Sequence, residues 1–113
     1  MKISEIRPFV PSKDYSTSVS FYKSLGFSGE SAGLELTVLE RDGCTFFLQN
    51  HDNDNLAKSL MMQLIVTDIK GMFELVSSLD DVKHSEITQE HWGAVFYLWG
   101  PSGELWHVTE LKT

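Results

Sequence analysis

Gly100-Pro101-Ser102-Gly103-Glu104-Leu105-Trp106-His107-Val108-Thr109-Glu110 is the stretch from which the fold can be read. A Gly-Pro-x-Gly turn leads at once into alternating large residues, so a tight reversal delivers the chain into a strand. Successive side chains on a strand point to opposite faces, which sets Trp106 and Val108 against Leu105, His107 and Thr109. If the first pair packs on helices, His107 looks into whatever hollow the sheet encloses.

Working backwards, residues 93–99 predict a long aromatic strand and residues 82–88 a short one. Before them, residues 69–79 carry Ile69, Met72, Phe73 and Val76 at helical spacing, with Asp68 placed to cap that helix and a strand over 61–66 ahead of it. The first half has the same order. A strand over 4–10 sets Glu5, Arg7 and Phe9 on one face, Asp14 caps a helix over 15–25, and Gly26 stops it. Strands over 27–31, 34–40 and 44–49 follow, the last two joined by the hairpin turn Arg41-Asp42-Gly43. Residues 51–55 are polar and turn-rich.

The chain therefore reads as one α+β domain over 1–113, with module one at 1–50, a connector at 51–60 and module two at 61–113. A tandem repeat of a β-α-β-β-β unit implies two curved four-stranded sheets with one helix behind each, and a cleft on the faces opposite the helices. A concave surface at a repeat interface is where a ligand is expected.

The length of 113 residues suits a single domain that folds alone or as a small oligomer. A net charge of −7 with no local basic cluster argues against nucleic acid and favours a cationic partner. Lys2, Glu5, Arg7 and Pro8 interrupt any apolar leader, and the densest apolar run, 94–99, is too short to cross a bilayer, so neither a signal peptide nor a membrane partner is expected. The single cysteine, Cys44, allows no intrachain disulfide; it is expected to be a small buried residue in a cytoplasmic protein.

Pro8-Phe9-Val10-Pro11-Ser12-Lys13-Asp14, Ser20-Phe21-Tyr22-Lys23-Ser24-Leu25-Gly26-Phe27, Trp92-Gly93 and the Gly100 to Trp106 run together resemble the glyoxalase, bleomycin resistance and extradiol dioxygenase superfamily, the vicinal oxygen chelate proteins. The resemblance covers nearly the whole chain; Gly100 departs from it, standing where the family usually has Asp. It implies paired β-α-β-β-β modules, a dimer in many members, and in the enzymes a divalent metal held by His, Glu or Gln from the first and last strand of each half. By position those ligands fall at Arg7, among Thr45 to Gln49, at Met61 and at His107. Arginine cannot bind a metal, and a thioether suits copper better than magnesium, iron or zinc. No cofactor and no catalytic residue is therefore assigned, and a non-enzymatic protein is favoured. The fallback metal set, if the first strand slips by two, is Glu5 with His107, and it would make the chain a lyase, isomerase or dioxygenase.

Strand parity gives the cleft lining without a metal: Arg7 and Phe9, Phe47 and Gln49, Met61 and Gln63, Tyr97 and Trp99, and His107. Such a surface fits a flat organic ligand held by stacking and a few hydrogen bonds. The expected function is metal-free binding of a small cationic or aromatic toxic compound, as in the antibiotic-sequestering bleomycin resistance branch, by a homodimer. Arg7 is expected to pair with Glu5, and His107 to be satisfied by Tyr97, Gln49 or Glu5.

Overall fold

Asp14 and Asp68 begin the two main helices of the computed structural model, which describes residues 1–113. Each carboxylate accepts from a backbone N–H three residues on, Thr17 and Gly71 respectively, closing the first turn. In chain order the elements are β1 (Phe9–Ser12), α1 (Tyr15–Ser24), β2 (Ser28–Ser31), β3 (Leu36–Arg41), β4 (Cys44–Asn50), α2 (Asp54–Ser59), β5 (Met61–Ile65), α3 (Ile69–Ser77), β6 (Lys83–His84), β7 (Thr88–Glu90), β8 (Gly93–Trp99) and β9 (Leu105–Leu111). One sheet runs β1-β4-β3-β2; the other runs β5-β9-β8-β6, with β7 also on β8. In both sheets the strand preceding the helix lies parallel to the last strand of its module, and the remaining pairs are antiparallel.

Four expectations shift. The first strand is β1 rather than 4–10: Pro8 has no N–H to give a ladder, its carbonyl accepts from Phe47, and pairing proper starts at Phe9 against Phe47. Pro11 is tolerated because β1 is an edge strand. The strand over 82–88 is divided, since Ser85 meets Tyr97 with its hydroxyl as well as its backbone and breaks the run into β6 and β7, so the second sheet has five strands. The connector holds a short helix, capped by Asn53, that buries Ala57. Cys44 is exposed, because it is the first residue after the Asp42-Gly43 turn.

The core lies between the sheets' inner faces and the helices. Phe46 of β4 and Trp106 of β9 come from different sheets, yet their rings are 5.3 Å apart and each packs edge-on to Tyr22 of α1. Leu39, Leu48, Phe96, Leu98 and Val108 are all fully buried around them. The two modules thus share one apolar interior, and burial of each such side chain contributes on the order of 1.5–3 kcal/mol. No helix is long and apolar enough to cross a membrane.

Candidate functional site

Alternation along β4, β8 and β9 buries Phe46, Leu48, Phe96, Leu98, Trp106 and Val108 inward, and so turns Phe47, Gln49, Tyr97, Trp99 and His107 to the outer faces. On the first sheet the Phe9 and Phe47 rings stack at 4.7 Å, with the Arg7 guanidinium 5.3 Å from the Phe47 centroid. Arg7 donates to Glu5 Oε2 at 3.0 Å, as expected, and Thr45 donates to the other oxygen of that carboxylate. The hydrogen bond to Glu5, reinforced by its charge, holds the Arg7 guanidinium above its ordinary pKa. Gln49 stands half-buried two residues beyond Phe47 on β4.

On the second sheet, register places Gln63, His107 and Tyr97 in one row across β5, β9 and β8, and Met61, Leu105 and Trp99 in the next. Tyr97 meets His107 edge-on at 5.0 Å, and Lys83 Nζ lies 4.5 Å over the Trp99 ring. Gln63 is tied to Thr109 at 3.3 Å. The expectation of a satisfied His107 fails: its Nε2 is buried with no hydrogen-bond partner, and the neighbour that meets its ring is the edge of Tyr97.

No hydrogen bond, ion pair or aromatic pair joins the outer face of one sheet to that of the other. Phe9 at 50% exposure, Met61 at 66% and Tyr97 at 39% are turned to solvent. Within one chain, Glu5 lies on the first sheet with both oxygens engaged and His107 on the second, and no three His, Cys, Asp or Glu side chains come together.

Sequence reasoning assigned no role to Glu104, which follows the Gly100 to Gly103 turn. Its side chain is fully buried, accepting from Tyr22 Oη at 2.7 Å and from the Ser102 N–H at 2.9 Å, while Tyr22 in turn accepts from Trp106 Nε1 at 2.9 Å. Burial raises the Glu104 pKa, and burial followed by the neighbouring carboxylate pushes Tyr22 well above its ordinary value. The same carboxylate explains Gly100, since a Cβ there would stand 2.2 Å from Glu104 Cδ. The signal was present in sequence as an acidic residue directly after a turn and immediately ahead of Leu105 and Trp106.

Two mixed sheets with paired parallel edges, a helix behind each and one shared interior define the glyoxalase/bleomycin resistance fold. No family model matches the sequence, and no curated protein does, but solved structures match along its whole length. The chain is similar to a bleomycin resistance determinant encoded on the transposon Tn5, at 20% identity and a TM-score of 0.84 over 98% of this chain and 100% of that one. It is also similar to a bleomycin-binding protein from Streptomyces verticillus, complexed with copper(II)-bleomycin, at 18% identity and a TM-score of 0.83 over 99% of both chains. A glyoxalase/bleomycin resistance protein/dioxygenase from Nocardioides matches at 18% identity and a TM-score of 0.75, over 98% of this chain and 85% of that one.

Proposed function

We propose that the protein binds a small, flat, cationic organic compound and sequesters it without a metal, in the manner that the bleomycin-binding proteins of the same fold suggest. One observation carries the reading: the outer sheet faces present partly exposed aromatic surface, the Phe9–Phe47 stack on one sheet and Tyr97 beside Trp99 on the other, while the positions that would hold a metal carry Arg7, Met61 and His107. Aromatic faces attract cations, as Lys83 over Trp99 illustrates within the chain, and a net charge of −7 draws a cationic compound from a distance.

Each face alone is open to water, so the reading includes a homodimer in which the first sheet of one copy covers the second sheet of the other. Exposed Phe9, Met61 and Ile65 support that pairing, since apolar groups of this size gain by leaving water. It also places the protein in the cytoplasm, to which its lone free cysteine is suited.

Titrating tryptophan fluorescence with bleomycin and a panel of cationic aromatic compounds tests the binding, with Trp99→Ala as control. Saturable quenching that weakens in the variant supports sequestration; no saturable quenching by any compound contradicts it. Sedimentation equilibrium tests the dimer separately.

A further inference from the structure

A cavity of about 380 Å³ lies between Phe27 and the β5–α3 segment, its lining reaching Ile65 at the edge of the second sheet's outer face. Its walls are Phe27 from module one and Leu64, Val66, Met72 and Leu75 from module two, with Arg41 and Cys44 across the β3–β4 turn at its mouth. The volume falls within the range of small-molecule pockets, about 300–1,000 Å³. Arg41 is positioned rather than loose. Its Nη1 donates to the Leu25 carbonyl at 2.5 Å, and the guanidinium lies so close over Gly26 that a Cβ there would meet Cζ at 3.0 Å. Its Nε reaches Asp42 at 3.5 Å, but that carboxylate is 88% exposed and holds it weakly. The other acidic group of the lining, Asp68, is occupied in capping α3. Nη2 is left without a partner, and a guanidinium offers its donors in a fork that matches a carboxylate.

We infer that this cavity is a second ligand site, taking a monocarboxylate on an apolar aromatic or aliphatic body, with the body between Phe27 and Met72 and the carboxylate on Arg41 in place of Asp42. The charge preference is opposite to that of the sheet faces, so the two sites take different compounds. The site also bridges the modules, and its occupancy stiffens their packing.

Cys44 is the only cysteine, so its alkylation by neutral iodoacetamide reports on the mouth of the cavity. The probes are naphthalene-1-acetate and its neutral amide, followed by alkylation rate and by amide chemical shifts. The carboxylate is expected to slow alkylation saturably and to shift Leu64, Val66, Met72 and Leu75, and the amide to bind about tenfold more weakly for want of the charged hydrogen bonds. Arg41→Gln is expected to erase that difference. Because Arg41 also ties down the Leu25 carbonyl, Asp42→Asn provides a second test: asparagine tolerates the backbone angle of +52° there, removes the competing carboxylate, and is expected to tighten the carboxylate several-fold. Equal binding of acid and amide, no saturable protection at millimolar probe, or shifts confined to the Phe47 and Tyr97 faces would each overturn the assignment.

Discussion

Replacing Tyr22 by phenylalanine removes a single oxygen from the place where the two modules share their buried polar groups. That hydroxyl donates to Glu104 at 2.7 Å and accepts from Trp106 at 2.9 Å, and neither Tyr22 nor Glu104 has any solvent exposure. Two buried groups lose a partner at once. At about 1–3 kcal/mol for each orphaned group, with the charged one toward the upper end, the loss is about 3–4 kcal/mol at neutral pH. That is a large part of the about 5–15 kcal/mol that holds a domain folded.

The loss also depends on pH. Burial is the main cause of the raised Glu104 pKa, and the Tyr22 hydrogen bond opposes it. A carboxyl whose pKa is higher folded than unfolded gives stability that is full below the unfolded value and falls as pH rises through the folded one. Removing the hydroxyl raises the folded value further, so the Tyr22→Phe penalty is greatest at neutral pH and shrinks in acid. Urea denaturation followed by tryptophan fluorescence, repeated in steps from about pH 7 into acid, measures how the penalty changes as the carboxyl is protonated. Glu104→Gln is expected to flatten the wild-type pH dependence by removing the titrating group. A Tyr22→Phe loss below about 1 kcal/mol at every pH would refute the claim that this hydroxyl satisfies two buried partners.

Gly100→Ala forces a methyl to within 2.2 Å of Glu104 Cδ and is expected to cost about 1–3 kcal/mol in the same assay, a loss that Glu104→Ala in the same chain relieves. Phe46→Ala, in the shared interior, is expected to lose about 3–5 kcal/mol of stability. Phe47→Ala, one residue on and facing outward, is expected to leave the urea midpoint nearly unchanged while weakening binding of cationic aromatics, because it removes the ring on which Phe9 stacks.

Much of the fold was legible because it rests on local signals. Capping aspartates, a glycine after the first helix and an Asp-Gly hairpin each act over a few residues and appear where the sequence placed them, as does the alternation of the last two strands. The first strand was misplaced because the limit is set by its partner: Pro8 looks compatible with an edge, but the ladder begins where Phe47 has a residue to face. Cys44, expected to be buried, is exposed because it stands directly after the Asp42-Gly43 turn.

The outer-face residues were legible from parity alone. Their relation to one another was not, because the modules join through Tyr22, Phe46 and Trp106, contacts between residues far apart in sequence. The same is true of Glu104, whose partner Tyr22 is 82 residues away, and of the unpartnered His107 nitrogen, which depends on three adjacent strands.

Calorimetric titration of chelator-treated protein with a cationic aromatic compound that does not itself chelate metals, repeated after adding magnesium, zinc, iron(II) or copper(II) to the protein, bears most directly on function. Metal-free sequestration predicts saturable binding in the chelated protein, weakened by Phe47→Ala and by Tyr97→Ala, with the compound recovered unchanged. Binding that appears only once a metal has been added, or recovery of a chemically altered compound, would contradict it.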